Sequence, residues 1–433
     1  MLELSSAYIS EPISLHWALP PSKSLMARRL VLSALCGGEL PSLEALSLED
    51  TPEDIRALLQ ALQESGEGSA VINVGESGTA MRFMTAYLSV AASIPCRLEG
   101  TARQHDRPIA PLVDALRTLG ADIQYLDKEG YPPLYITPRM LDSGEVTLDA
   151  TLSSQYLSAL FLLAPRLVGR VAIHLSGSLA SAPYAYMTQA IVREGGYRWI
   201  ETRAGHFVYE PCTESSHRAS RMTQWAEADW SAASYAYTLV ALLPSGSECY
   251  LRRLIRPSLQ GDSLYLPLYM ERLGVYTEPT EEGIRIYHRE QSVVESFEAD
   301  MSPCPDLVPA LVTALVARGV PFRLRGVAHL RVKESDRLGA LSSEFAKLGI
   351  PLGMSRDELY WTGLSSEQSI PEEPSVIDPH QDHRIAMALS LMTLRTGRLR
   401  IQTPEVVAKS FPSYWAQLAS LLSLGRSRRE DGR

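Results

Sequence analysis

The sequence predicts a two-domain α/β protein in which one supersecondary unit is used six times. Two observations carry this. A small polar or charged cluster that opens onto a helix rich in Ala, Leu and Ser recurs at residues 22, 77, 153, 229, 305 and 382, at intervals of 55, 76, 76, 76 and 77. A second helix follows each of these about thirty positions later, with short β-like runs between them. A fixed period of this length means one unit repeated along the chain.

The first helices open at Ser22-Lys23-Ser24, Ser77-Gly78-Thr79, Ser153-Ser154-Gln155, Asp229-Trp230-Ser231, Pro305-Asp306 and Asp382-His383-Arg384. The second helices are expected near Pro52, Arg107, Pro183, Gly261, Ser335 and Pro412. The clearest is Arg107 to Gly120, where Ile109, Leu112, Val113, Leu116 and Leu119 form one apolar stripe. Val171 to Leu175 and Arg398 to Ile401 read as strands. The short first interval means that the first copy is trimmed or completed by a distant segment. Three copies per domain gives lobes at 19–225 and 226–433, the second completed by 1–18, with one crossing at Arg221 to Ala226 and another by Pro20-Pro21. Helices with so little polar surface are buried. Six such helices whose polar N-termini face one cleft between the domains would form an anion trap.

Composition narrows the class. Hydrophobic content of 45% and charged content of 21% fit an ordinary globular protein. A net charge of −9 argues against a non-specific nucleic-acid binder, so an anionic ligand needs locally clustered Lys and Arg. No apolar run reaches the roughly 18–20 residues of a membrane span. Met1 to Ile13 contains acidic residues and lacks the basic start of a signal peptide. Five widely spaced cysteines, Cys36, Cys96, Cys212, Cys249 and Cys304, predict a reducing compartment, hence the cytoplasm, with no disulfide framework and no structural zinc. The tail Gly425 to Arg433 reads as a frayed end.

Several residues are candidates for a use beyond local structure. Lys23 and Arg28 fall within about one and a half turns near the start of the first helix. Gly78 would let a ligand approach backbone N–H groups, and Arg107, at an expected helix start, could grip a phosphate or carboxylate. Ser153, Ser154 and Gln155 are either a helix cap or a phosphate cradle, and Ser181 and Tyr184 flank Pro183 at the next helix start. Asp306 is either a helix cap or a general base. Arg331 to Arg337 packs three cations and two anions before a helix marked by Leu338, Leu341, Phe345 and Leu348. It reads as a solvated charge run or as an anion site at a helix N-terminus. Lys409 precedes Ser410-Phe411-Pro412 in an otherwise apolar segment.

Taken together, these stretches resemble the 5-enolpyruvylshikimate-3-phosphate synthase family. They are P-S-K-S-L-M-A-R at Pro21 to Arg28, S-G-T-A-M-R at Ser77 to Arg82, R-P-I at Arg107 to Ile109 and S-S-Q-Y at Ser153 to Tyr156. D-W-S-A-A-S-Y at Asp229 to Tyr235, P-D at Pro305-Asp306, R-V-K-E-S-D-R-L at Arg331 to Leu338, D-H-R-I-A-M at Asp382 to Met387 and A-K-S-F-P at Ala408 to Pro412 complete the set in family order. The resemblance implies a two-domain inside-out α/β barrel, each domain three βαβαββ-like repeats, with a cleft between them. It also implies transfer of the enolpyruvyl group of phosphoenolpyruvate to the 5-hydroxyl of shikimate 3-phosphate. It assigns Lys23, Ser24, Arg28, Ser153, Ser154, Ser181, Tyr184, Asp306, His329 and Lys333 to shikimate 3-phosphate. Lys23, Gly78, Arg107, Gln155, Arg337, Arg384 and Lys409 fall to phosphoenolpyruvate. Asp306 would take the hydroxyl proton, and Glu334, His383 and Lys409 would manage the carbon-bound proton, with Lys23 touching both ligands. No metal or organic cofactor is implied, nor a nucleic-acid or membrane partner, and a monomer is expected.

The chain departs from the family pattern at Glu76, Phe83, Ala27 and His329. Glu76 puts the detail of phosphoenolpyruvate binding in question. The rival reading as a UDP-N-acetylglucosamine enolpyruvyltransferase lacks its Cys acid, since Ala102 to Asp106 contains none. A non-catalytic phospholigand-binding homologue would not need Asp306, Glu334, His383 and Lys409 together, and the acidic balance disfavours an RNA-end-processing enzyme on a related fold.

Overall fold

The computed structural model describes residues 1–6, 9–47, 50–211, 227–289, 294–363 and 374–430, with side chains to 423. The chain divides into two compact units, one formed by Met1–Pro21, Leu48–Pro52 and Ala226–Arg433, the other by Ser22–Ser47 and Glu53–Trp225. The expected crossing at Arg221 to Ala226 lies outside the described residues, as does Cys212.

Three of the repeats follow one plan, seen plainly at residues 71–137. The strand Val71–Asn73 leads to the helix Gly78–Ala91, then to the parallel strand Cys96–Glu99. A second helix, Ala110–Thr118, leads to the antiparallel strands Asp122–Tyr125 and Leu134–Thr137, and the last of these pairs with Cys96–Glu99. The spatial order of strands is thus first, second, fourth, third. The sheets built on Gly144–Asp149 and on Phe297–Asp300 repeat it.

The other copies use distant strands. Ser14–His16 pairs in parallel with Glu248–Arg252, so the whole second unit is inserted between the first strand and the first helix of the fourth copy. The strand Leu2–Ser5 lies antiparallel to Arg398–Ile401 and finishes the sheet of the sixth copy. The first copy has its two helices, Lys23–Leu35 and Glu53–Gly66, but no strand of its own among the described residues.

The first helices lie inside and the sheets outside. In Trp230–Leu242 every residue from Trp230 to Ala241 is buried. Two of its polar side chains are satisfied within the unit: Ser234 Oγ donates to the Ser231 carbonyl at 2.6 Å, and Thr238 Oγ1 to the Ala310 carbonyl at 3.0 Å. That pairing is what makes a fully buried helix affordable. Strands such as Phe322–Arg325 alternate buried and exposed residues, one face on the helices and one in solvent.

The helix starts follow local chemistry. Ser22, Ser77, Ser153, Asp229 and Asp382 each accept a backbone N–H through their side chains at the head of the first helices. These caps occupy part of the donor set expected to form an anion trap. Two expectations are corrected. The helix expected from Arg107 begins at Ala110, because Pro108 disfavours the helical conformation at the residue before it. The tail expected to fray from Gly425 is helical in Tyr414–Glu430, and residues 431–433 lie outside the described set.

Candidate functional site

In the unit that contains Ala226–Arg433, the charged motifs form one network. Asp306 does not cap its helix. It stands in the turn Pro305–Leu307, where no side-chain cap is made, and its two oxygens meet different arginines. Arg337 Nη1 donates to Oδ1 at 2.9 Å, and Arg384 Nη2 to Oδ2 at 2.8 Å. Burial would push this carboxyl up, but Arg384, Arg337 and Lys333 together outweigh it and hold it well below the usual carboxylate range. Arg337 also donates through Nε to the fully buried Asp382 at 2.7 Å, so it bridges two carboxylates. Burial acts to lower its pKa, and the charges of Asp382 and Asp306 raise it further than burial lowers it.

A second cluster adjoins Asp382 in sequence. Glu334 Oε2 lies 2.8 Å from His383 Nδ1 and 3.3 Å from Lys409 Nζ, with His383 almost wholly buried. Glu334 thus has an imidazole and an amine within reach, a set suited to holding and passing one proton. Glu334, Asp382 and His383 also come close enough to share a metal ion. Lys409 and Arg337 already neutralise the two carboxylates, however, so the donor set fits a proton relay better than a cation site.

The turn Arg331 to Arg337 is neither purely a solvated run nor a bare helix end. Asp336 caps the helix Arg337–Lys347 by accepting from Gly339 N at 3.1 Å, and Arg331 Nη1 pairs with Asp336 at 3.0 Å. The outer charges therefore hold the turn, while Glu334 and Arg337 join the network. His329, on the short helix Ala328–Val332, is buried and its Nε2 has no hydrogen-bond partner. Burial, then the Lys333 charge, pushes it down to about 4, so it is a neutral imidazole.

The other unit gathers a second set. Arg28 is 2% exposed and joins three helices. Its guanidinium donates to Thr188 Oγ1 at 2.6 Å, to the Ser24 carbonyl at 2.9 Å, to the Tyr184 carbonyl at 3.1 Å and to Ser158 Oγ at 3.3 Å. Burial lowers its pKa to about 10, which still leaves it charged at neutral pH. Phe83, a departure from the family pattern, lies under this guanidinium with its centroid 5.4 Å away and serves as its floor. Lys23 Nζ meets Asp54 at 2.9 Å. Ser153 caps Gln155 N at 3.2 Å, the local use open to it from sequence, and Gln155 Nε2 donates to Thr79 Oγ1 at 2.9 Å. Ser181 stands at φ 53° with its hydroxyl buried and unpartnered.

Gly78 and Arg107 are brought together. A Cβ on Gly78 would lie 2.2 Å from Arg107 Nη1, far inside van der Waals contact, so only glycine lets the guanidinium rest on this helix end. Pro108, anchored by Tyr156 through its carbonyl at 2.7 Å, fixes the segment that carries Arg107. The side chain of Glu76 is exposed, and its carbonyl accepts from Gln104.

Sequence reasoning missed the residues that act through others. Asp54, Thr188, Ser158 and Thr79 hold the ligand candidates from elements far along the chain. Asp382 was visible only as part of a motif. Asp262, 1% exposed and accepting from Ser231 Oγ at 2.6 Å, is pushed up to about 7 by burial and then by the charge of Asp306.

Two arginines thus grip one carboxylate beside a Glu334–His383–Lys409 cluster, on a fold that repeats one supersecondary unit. The sequence model of the family described as EPSP synthase (3-phosphoshikimate 1-carboxyvinyltransferase) matches residues 8–418, and the chain belongs to that family. A 3-phosphoshikimate 1-carboxyvinyltransferase of Bacteroides fragilis is 39% identical over 402 residues, covering 92% of this chain and 93% of that one. One from Syntrophobacter fumaroxidans is 35% identical, covering 95% and 99%. Among solved structures, EPSP synthase from Acinetobacter baumannii matches with a TM-score of 0.70 at 22% identity, over 98% of each chain. An enolpyruvyl transferase from Streptomyces tendae matches at 0.68 and 14% identity, over 97% of each. Among the described residues, no helix is long and apolar enough to cross a membrane.

Proposed function

We propose that the chain transfers the carboxyvinyl group of phosphoenolpyruvate to the 5-hydroxyl of shikimate 3-phosphate and releases phosphate, a step toward aromatic amino acids. The observation that carries this reading is Asp306 gripped by Arg337 and Arg384 beside the Glu334–His383–Lys409 cluster. The reaction requires a base for the hydroxyl, an acid for the enol carbon, and cations for a carboxylate and a phosphate. Those residue types are all present.

In this reading Arg28, Ser24, Ser153, Ser154, Ser181 and Tyr184 bind shikimate 3-phosphate, with Lys333 and neutral His329. Gly78, Arg107, Gln155, Arg337, Arg384 and Lys409 bind phosphoenolpyruvate, and Lys23 serves both. Paired with two arginines, Asp306 is a weak base. Anionic groups of phosphoenolpyruvate that draw on Arg337 and Arg384 dilute the positive charge it feels and raise its basicity when the donor is bound. Asp306 then accepts the hydroxyl proton as the ring oxygen attacks the enol C2. The Glu334–His383–Lys409 cluster delivers a proton to C3, and removes one again when phosphate leaves the tetrahedral intermediate. Cytoplasmic action is part of the same reading, supported by the free thiols of Cys36, Cys96, Cys249 and Cys304.

The test is phosphate release from phosphoenolpyruvate. Release is expected only when shikimate 3-phosphate is added, and release with UDP-N-acetylglucosamine instead overturns the acceptor. A second expectation concerns Gly78→Ala. The new Cβ displaces the Arg107 guanidinium, the mobile end of a long side chain, so the fold tolerates it. KM for phosphoenolpyruvate should rise by about tenfold, the worth of about 1.4 kcal/mol in binding, with the melting temperature unchanged or higher. An unchanged KM would remove Arg107 from the donor site.

A further inference from the structure

Glu344 lies on the same helix as Arg337, two turns further on, and has no part in the chemistry described above. It is 1% exposed. Its Oε1 faces His380 Nε2 at 2.9 Å, and its Oε2 accepts from Lys347 Nζ at 2.6 Å and from Asp378 N at 3.0 Å. A buried carboxylate is tolerated only when so fully paired.

Two of these partners sit in the loop 378–381, which joins the strand Ser375–Ile377 to the helix His383–Ser390. That loop is strained. His380 and Gln381 both lie in the left-handed region, at φ 52° and 58°, although neither is glycine. Consecutive residues persist there only where their surroundings over-determine them. Asp378 Oδ1 accepts from His380 N at 2.8 Å, and Asp382 N donates to the Pro379 carbonyl at 2.9 Å, closing a tight turn immediately before Asp382, His383 and Arg384. The helix Arg337–Lys347 thus clamps the segment at two points. Arg337 holds Asp382 at its far end, and Glu344 holds Asp378 and His380 at its near end.

We propose that Glu344 is a positioning residue for Asp382, His383 and Arg384, acting through the strained loop that it clamps. Without its charge the loop relaxes toward ordinary backbone angles, and the three residues that follow it shift together. Displacements of about an ångström at a reacting group cost up to about a hundredfold in rate. The kinetic consequence rests on the reading of function given above, whereas the structural consequence does not.

The experiment compares wild type with Glu344→Gln, which keeps volume and an acceptor for Asp378 N, and with Glu344→Ala. Expected for both is a rise in KM for phosphoenolpyruvate or a fall in kcat, roughly 10–100-fold, larger for Ala. Calorimetric binding of shikimate 3-phosphate alone should stay unchanged. Amide hydrogen exchange should quicken across 378–384 while Trp230–Leu242 stays protected. Wild-type exchange in 378–384 together with wild-type kinetics in both variants overturns the proposal. So does a parallel loss of shikimate 3-phosphate binding and of protection throughout the unit, which would make Glu344 a general core residue. If wild type releases no phosphate with shikimate 3-phosphate, the functional reading falls, and the exchange comparison still decides the role of Glu344.

Discussion

Asp306→Asn should lower kcat by about 10²–10⁴-fold, the usual worth of a positioned general base. KM for phosphoenolpyruvate should stay level or fall. The split follows from geometry. Asp306 competes for the guanidinium groups of Arg337 and Arg384, at 2.9 and 2.8 Å, that the donor needs. The neutral amide keeps the shape, removes the competing charge and cannot accept the hydroxyl proton. Initial-rate kinetics with both substrates varied will separate the two effects. Turnover at the wild-type rate would remove Asp306 as base, and a KM raised in proportion to the fall in kcat/KM would make it a binding residue instead.

Asp382→Ala should cost about 3–5 kcal/mol of stability, the typical result of stripping one partner from a buried ion pair. Asp382 has no exposed side-chain surface, receives Arg337 Nε at 2.7 Å and caps Arg384 N at 3.0 Å. Its loss removes the cap and leaves Arg337 with Asp306 as its acidic partner in this network. The effect should depend on pH in a definite direction. Burial acts to raise the Asp382 pKa, but Arg337 outweighs it, and the folded value lies below the unfolded one. A depressed carboxylate stabilises fully above its unfolded pKa of about 3.9 and loses that contribution as pH falls through the folded value. Denaturant unfolding should therefore show a constant gap between wild type and variant from pH 7 to pH 5, narrowing below about pH 4. A gap that widens on acidification would mean that Asp382 is not held ionised by Arg337.

The parts of the molecule set by short-range chemistry were legible in the chain. A Ser or Asp ahead of an Ala- and Leu-rich run favours a helix start, because its side chain satisfies N–H groups two or three residues ahead. Five of the six first helices stand where the repeat predicted them with such a cap, and the other is entered without one, through a turn at Pro305–Leu307. Arg107 was misplaced for an equally local reason, since Pro108 outweighs the apolar stripe beside it.

Partnership over distance was not legible. Arg337 reaches Asp306 and Asp382 across 31 and 45 positions, and Arg28 reaches Ser158 and Thr188 across 130 and 160. The strand Leu2–Ser5 closes the sheet of the last repeat from the opposite end of the chain. Sequence alone determined which residue types are available and where helices begin, because those are matters of a few neighbouring bonds. Only the tertiary structure decided whether Asp306 caps a helix or faces two arginines, and whether the Arg331–Arg337 turn is solvated or part of a network. Coulomb energies depend on separation and burial, and neither is set by position along the chain.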